Sequence, residues 1–144
     1  MHSPILAPVV ALVAWTLAMQ VWLYATRLPA MRRAGISLKG RVGTRGGALE
    51  GAVPDEVNWK AHNYNHLLEQ PTIFYAVALS LALMGFGGGI NLYLAWGYVA
   101  LRIVHSLIQA MVNIVAWRFL VFMLASLCLL GLTVHAAASV IRGG

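Results

Sequence analysis

The stretch "NWKAHNYNHLLEQPTIFYAVALSLALMG", from Asn58 to Gly85, changes character at Glu69. Before Glu69 it is polar and contains His62 and His66, and after Glu69 no charged residue occurs until Arg102. Such a pattern predicts a helix that leaves water and enters an apolar solvent, because charged side chains are unfavourable in hydrocarbon. The question is why a carboxylate and two imidazoles lie where the water ends.

The composition of the whole chain identifies that apolar solvent. Of 144 residues, 60% are hydrophobic and 10% are charged, with a mean hydropathy of +0.77. A soluble domain has about 25% charged residues. One small core cannot bury so much apolar surface, so we expect an integral membrane protein. The single cysteine, Cys128, excludes an internal disulfide and a multi-thiolate metal site.

Four apolar runs are long enough to cross a bilayer, which takes about 20 residues of helix. The predicted helices cover about 3–28, 59–84, 90–112 and 117–141, with a loop over about 29–58. The "GFGGG" motif at 85–89 separates the middle two, because glycine is a poor helix former. A barrel would need alternating strands, which the chain lacks. The sequence therefore predicts one all-α, four-helix polytopic membrane domain over 1–144.

The first helix is expected to remain in the mature protein, because its uncharged run is too long for a signal peptide. Orientation follows from the basic residues, which cluster between the first two helices: Arg27, Arg32, Arg33, Lys39, Arg41, Arg45 and Lys60. The turn after the second helix has none, so the long loop is expected in the cytoplasm and both termini opposite. The loop lacks a nucleic-acid recognition motif and is expected to face anionic lipid.

Polar residues inside the spans form two stripes. On the second helix His62, His66 and Glu69 are spaced i, i+4, i+7, with Asn65 beside them. A second stripe, on the third helix, has the spacing i, i+3, i+7, i+11 and comprises Arg102, His105, Gln109 and Asn113. Helical geometry puts each stripe on one face. Since intramembrane charges almost always face a partner or a cavity, the stripes should face each other or a neighbouring subunit.

Depth along the helices places the charged residues at one level. Glu69 lies ~24 Å from the glycine turn, Arg102 ~18 Å and His105 ~22 Å, at 1.5 Å per residue. Arg118, at the start of the fourth helix, would lie at the mouth of that layer. We expect Glu69 to balance Arg102 within a polar site that carries excess positive charge and opens to the cytoplasm.

Other interpretations of these residues remain open. Glu69 and Arg102 would serve equally well as a structural ion pair, and His105 as a hydrogen-bonding group between helices. His62 and His66 would also fit as solvated interfacial histidines. A metal site is not expected, because the histidines and Glu69 offer only one tight helical pair.

The stretches "NHLLEQPTIFYAVAL" (65–79) and "AWGYVALRIVHSLIQAMVNIVAWRF" (95–119) resemble the MAPEG family, the membrane-associated proteins of eicosanoid and glutathione metabolism. The resemblance extends over the whole chain in length and span number, and is closest to the bacterial branch. It implies a homotrimer of four-helix protomers that holds glutathione between protomers. It also implies a location in a bacterial inner membrane.

The family motifs assign roles to individual residues only by this resemblance. Arg118 matches the arginine that activates the glutathione thiol, and is the implied catalytic residue. The implied glutathione-binding residues are Glu69, Arg102, His105, His66, Asn65, Gln109 and His62. Departures from the family pattern are also present: His62 replaces an arginine, His66 an asparagine and Gln109 a tyrosine.

Three functions are compatible with these residues. The first is a glutathione-dependent transferase or peroxidase acting on lipophilic electrophiles, with no metal. The second is a non-catalytic MAPEG-fold accessory or lipid-binding subunit of a larger membrane complex, which the change at Gln109 favours. The third, a small multidrug transporter, ranks last because it requires a glutamate in the first helix, and residues 1–26 contain none.

Overall fold

The computed structural model describes residues 2–40, 42–43 and 46–143, and the regular elements in this part of the chain are all helical. They are α1 (Leu6–Arg33), a 3-10 helix (Gly46–Leu49), α2 (Asp55–Leu67), α3 (Gln70–Leu83), α4 (Ile90–Met111) and α5 (Val115–Gly143). Two of the basic loop residues, Arg41 and Arg45, lie outside the described residues. We call the end of the bundle with the 34–54 loop the loop side, and the end with the 85–89 turn the turn side.

The second span is not the continuous helix that was predicted over 59–84. α2 ends at Leu67 and α3 begins at Gln70, and the backbone of Glu69 leaves the helical region with a ψ of −96°. Pro71 is the physical reason: it has no N–H to bond the carbonyl of Leu67, and its ring crowds that carbonyl. In the first turn of α3, by contrast, the missing N–H costs nothing.

α1 is longer than predicted at the loop side. It runs to Arg33 although the apolar run ends at Arg27, and it contains Pro29. Its last turns pack against the loop, where Met31 is buried with Leu49 and Val53. Hydropathy predicts only where the apolar run of α1 ends. The helix continues beyond that point because its last turns are stabilised by packing against the loop.

α4 is the central helix, since it packs against α5, α2 and α1. Glycine allows a close approach to α5: a Cβ on Gly131 would lie 3.1 Å from Leu94. Phe74, Leu81 and Leu132 are fully buried in the core that these helices share. Small residues at such contacts are typical of helices that pack within a membrane.

Two helices, Leu6–Arg33 and Val115–Arg142, are individually long and apolar enough to cross a membrane. Neither helix of the predicted second span is long enough to cross a membrane by itself, because the proline break divides it into α2, with 13 residues, and α3, with 14. A crossing takes about 20. The α2–α3 pair together has the required length.

Candidate functional site

Arg102 is the largest fully buried side chain among the described residues, with a relative exposure of 0%. Its Nη2 donates to the backbone carbonyl of His66 at 2.9 Å and lies 3.0 Å from Nδ1 of His66. Its guanidinium also lies 5.6 Å from the ring centroid of Phe122 on α5. Arg102 therefore links α4 to both α2 and α5.

Two imidazoles lie beside this guanidinium. His66 and His105 stack with their ring centroids 4.9 Å apart and their planes at 20°. The edge of Phe122 lies 5.4 Å from His66. Within the described residues no group of three or more potential metal ligands forms. The two imidazoles therefore lie face to face beside the guanidinium of Arg102.

Arg118 is positioned by the turn between α4 and α5. Asn113 has a positive φ of 56°, a conformation that asparagine tolerates better than most residues. This conformation ends α4, and the Oδ1 of Asn113 accepts a hydrogen bond from Nη1 of Arg118. The turn thereby holds the Arg118 side chain at the loop side of the bundle.

A cleft of about 160 Å³ brings these groups together, and it is lined by His66, His105, Val115, Arg118, Phe119 and Phe122. Several buried polar atoms in and behind its walls have no hydrogen-bond partner among the described residues: Nε and Nη1 of Arg102, Nδ1 of His105, Oε1 of Gln109 and Nε of Arg118. Buried polar atoms in proteins are nearly always paired. So many unpaired atoms in one layer indicate a place prepared for a polar ligand.

The expected contact between Glu69 and Arg102 is not a salt bridge within one protomer, and Glu69 acts on Arg102 only by charge attraction over a longer distance. Glu69 is exposed, and in the described part of the chain the one salt bridge joins His62 to Glu50, at 3.2 Å. α2 packs against α1 and α4. The opposite face of α2, with the exposed residues His62, Asn65 and Glu69, lies outside these contacts. Arg102 therefore has no carboxylate partner within the part of the chain that the structure describes.

The predicted stripe on α4 is turned into the bundle. Arg102, His105 and Gln109 are all buried, whereas Asn113 lies beyond the helix in the turn to α5. His66 is half-buried and is the member of the α2 stripe that contacts Arg102. The structure thus brings together Arg102, His105, His66 and Arg118, and it leaves His62, Asn65 and Glu69 on an outer face.

Sequence reasoning missed polar residues that support this layer. Asn63, 1% exposed, donates from Nδ2 to Oγ of Ser106 at 2.7 Å and so ties α2 to α4. Deeper in the bundle, Gln70 donates to Ser126 at 2.9 Å and accepts from Tyr98 at 3.3 Å. Asn63 is three residues before His66 and Ser106 is four residues after Arg102, so helical spacing to the stripes was the available signal.

A polytopic helical membrane protein with ionisable residues gathered inside its bundle is the class that this fold and site define. The sequence model that describes the MAPEG family matches residues 5–138, and the chain belongs to this family. Membership confirms the predicted resemblance and the all-helical membrane bundle. No curated protein and no solved structure gives a significant match to the chain.

Proposed function

We propose that the protein binds glutathione in the cleft beside Arg102 and Arg118 and transfers it to lipophilic electrophiles, or uses it to reduce lipophilic peroxides. The observation that carries the proposal is Arg102, a fully buried cation with two unpaired guanidinium nitrogens and no carboxylate partner among the described residues. A buried charge with no carboxylate in direct contact is unfavourable. An anionic ligand supplies the missing charge, and glutathione carries two carboxylates.

The size of the cleft supports a site that is completed by a second copy of the chain. Its volume of about 160 Å³ is below the roughly 300–1,000 Å³ of typical ligand sites. The outer face with His62, Asn65 and Glu69 lies within a helix pair that crosses hydrocarbon, where an exposed carboxylate is costly. A homotrimer in which this face meets a neighbouring protomer covers Glu69 and offers its carboxylate to the ammonium group of glutathione.

The roles of the residues follow from their chemistry. Arg118, with its free Nε at the cleft, stabilises the bound thiol as thiolate, because a nearby cation favours the anion. The thiolate attacks an electrophilic carbon, the carbon–sulfur bond forms, and the leaving group departs with its electron pair. Val115, Phe119 and Phe122 make the cleft wall apolar, which suits a co-substrate that arrives from the bilayer.

The decisive experiment measures the thiolate ultraviolet absorbance when glutathione is added to the purified protein at neutral pH. Wild type is expected to show the band and to conjugate glutathione to a chlorinated nitrobenzene. Arg118→Ala should lose both with only a small decrease in melting temperature, from the lost bond to Asn113. Arg118→Lys should recover part of the signal, since a point charge lacks the planar fork. Arg142→Ala, at the opposite end of α5, is the matched control and should behave as wild type.

A non-catalytic accessory or lipid-binding role within a larger membrane complex is the second candidate. It is favoured by Gln109, which stands where related proteins carry a glutathione-contacting tyrosine and therefore supplies no hydroxyl. This role expects no thiolate band, no glutathione binding and no conjugate from wild type. That triple negative result would overturn the enzyme proposal.

The orientation of the chain is part of the same proposal. The basic residues of the loop side support a cytoplasmic location for it, and the resemblance to the bacterial branch of the family supports a bacterial inner membrane. A Ser37→Cys variant should react with an impermeant maleimide only after the cells are opened. The native Cys128 lies within α5 and is removed as Cys128→Ala for this measurement.

A further inference from the structure

A second and larger cleft lies at the loop side, away from the arginine layer. It has a volume of about 530 Å³ and is lined by Ala25, Thr26, Pro29, Ala30, Arg33, Ala34, Pro54 and Val57. We call it the α1–α2 groove. The lining residues from α1 recur at the spacing of one helical face. The groove therefore runs along α1 from the level of its apolar run to the guanidinium of its last residue.

The composition of the α1–α2 groove is amphipathic along its length. Alanine, proline and valine make most of its walls, and Arg33 is its one charged lining residue. The volume falls within the roughly 300–1,000 Å³ typical of ligand sites. An apolar trough that ends at a cation matches a molecule with an acyl chain and an anionic head.

Pro29 adds a polar feature to the floor of the groove. Because proline has no N–H, the carbonyl of Ala25 lacks the donor that residue 29 of a helix normally supplies. Thr26 does not provide one, since its hydroxyl donates to Trp22 at 2.9 Å. The ester-linked glycerol of a phospholipid offers acceptors only, so this carbonyl takes no part in holding a lipid, and recognition of the anionic head depends on Arg33.

The part of the loop that the structure describes packs on another side of α1. Arg27 donates to the carbonyl of Gly46 at 2.7 Å, and Leu49 is buried with Met31 and Val53. The acidic residues nearest in sequence, Asp55 and Glu56, lie in the first turn of α2 and do not line the groove. The lining therefore carries positive charge only.

From these features we propose that the α1–α2 groove binds an anionic glycerophospholipid, with its phosphate at Arg33 and an acyl chain along Ala25 and Ala30. The occupant comes from the surrounding bilayer and needs no opening of the bundle. The site is independent of the glutathione proposal, because none of its lining residues contributes to the cleft at Arg118.

The test uses delipidated full-length protein in detergent and native mass spectrometry with two lipids of the same acyl chains. Phosphatidylglycerol should be retained as discrete adducts, and phosphatidylcholine should not. Arg33→Gln should weaken phosphatidylglycerol binding about tenfold, because the phosphate loses a charge-assisted hydrogen bond. Arg32→Gln, which lines a different cleft, is the matched charge control and should bind as wild type.

A second pair of variants tests the groove itself. Ala25→Phe should fill it and reduce phosphatidylglycerol adducts with the melting temperature of the lipid-free protein unchanged. Ala18→Phe, exposed on the same helix two turns away, is the control for added bulk. Inorganic phosphate at equal ionic strength should not displace the lipid.

Three results would overturn the proposal. They are equal retention of the two lipids, an equal effect of Arg32→Gln and Arg33→Gln, and a change of oligomeric state with Ala25→Phe but unchanged lipid binding. The last would show that the groove is a contact between copies of the chain.

Discussion

At the turn side of the bundle every polar atom of the Asn91 side chain is paired, whereas at the loop side Arg102 is buried with two of its nitrogens free. Asn91 donates from Nδ2 to the carbonyl of Phe86 at 2.8 Å. Its Oδ1 lies 2.6 Å from Nδ1 of His135. For Arg102, in contrast, Nε and Nη1 have no partner among the described residues.

The contrast distinguishes two uses of a buried polar group. A satisfied group stabilises one arrangement of helices, and Asn91 thereby joins the start of α4 to α5 and to the glycine turn. That turn is itself tightly packed, since a Cβ on Gly87 would lie 2.8 Å from Cγ2 of Ile5. An unsatisfied group is costly until something pairs with it. The turn side therefore holds the bundle together, and the loop side is arranged for a ligand.

The largest expected effect is on stability at the turn side. Asn91→Leu would leave His135 and the Phe86 carbonyl without partners, at up to about 1–3 kcal/mol for each unsatisfied group, and at the lower part of that range here because both bonds are only part-buried. Unfolding in detergent should show a loss of about 2–4 kcal/mol on the same principle, with glutathione binding unchanged.

Asn91→Asp keeps the acceptor for His135 and should lose about half as much. Ser139→Ala removes a hydroxyl that bonds only to its own helix, at 2.8 Å, and serves as the control. A wild-type melting profile for Asn91→Leu would remove the distinction between the two ends.

Arg102→Met should weaken ligand binding more than it reduces stability, the reverse of Asn91→Leu. Hydrogen bonds to charged groups contribute about 1.5–3 kcal/mol, so glutathione binding should weaken roughly ten- to hundredfold. The free energy of unfolding of the ligand-free protein should change less than in Asn91→Leu, because losing the bond to His66 is offset by removing a buried charge that has no carboxylate in contact.

Isothermal titration and thermal unfolding measure the two quantities separately, and Arg142→Met is the matched substitution outside the site. If Arg102→Met destabilised the protein as much as Asn91→Leu and left binding intact, Arg102 would be a structural group.

A double-mutant cycle between Glu69 and Arg102 sharpens the comparison further. Since Glu69 is exposed and forms no salt bridge with Arg102 in the protomer, the coupling energy between Glu69→Ala and Arg102→Met should not exceed about 1 kcal/mol, as for an exposed charge pair. The measurement is unfolding under conditions in which the chain is monomeric. A coupling of about 3–5 kcal/mol, the cost of breaking a buried pair, would contradict the geometry of the protomer.

The smallest effect is expected at the His62–Glu50 pair. Both side chains are largely exposed, at 48% and 62%, and exposed ion pairs contribute about 0–1 kcal/mol. His62→Ala and Glu50→Gln should each change the unfolding free energy by less than about 0.5 kcal/mol, and high salt should remove the difference. A larger loss would indicate that this contact anchors the loop.

Most helix positions were predictable from the sequence because hydropathy and helix propensity are local properties. The third helix was predicted over 90–112 and is observed as Ile90–Met111, and the fourth was predicted over 117–141 and is observed as Val115–Gly143. The break at Glu69 had a visible signal in Pro71, but a run of apolar residues does not reveal whether a helix crosses a proline unbroken.

The α4 part of the site could also be predicted from the sequence, since Arg102, His105 and Gln109 fall on one helical face. All three are buried in the structure. The contribution of α5 was not. Phe122 packs against both histidines and Arg102, yet in the sequence it is one aromatic residue in an apolar run. A contact between helices distant in the chain leaves no periodic trace in either one.

The sequence by itself determined the solvent of this protein, its helical class and the residues that carry its charge, because each follows from composition and from spacing within a single helix. Only the tertiary structure decided which of those residues meet. α1 and α4 pack around α2 and leave Glu69 on the outer face, while His66 contacts Arg102. The partner of a buried charge depends on how whole helices orient against one another, and that orientation is set by packing along their full length.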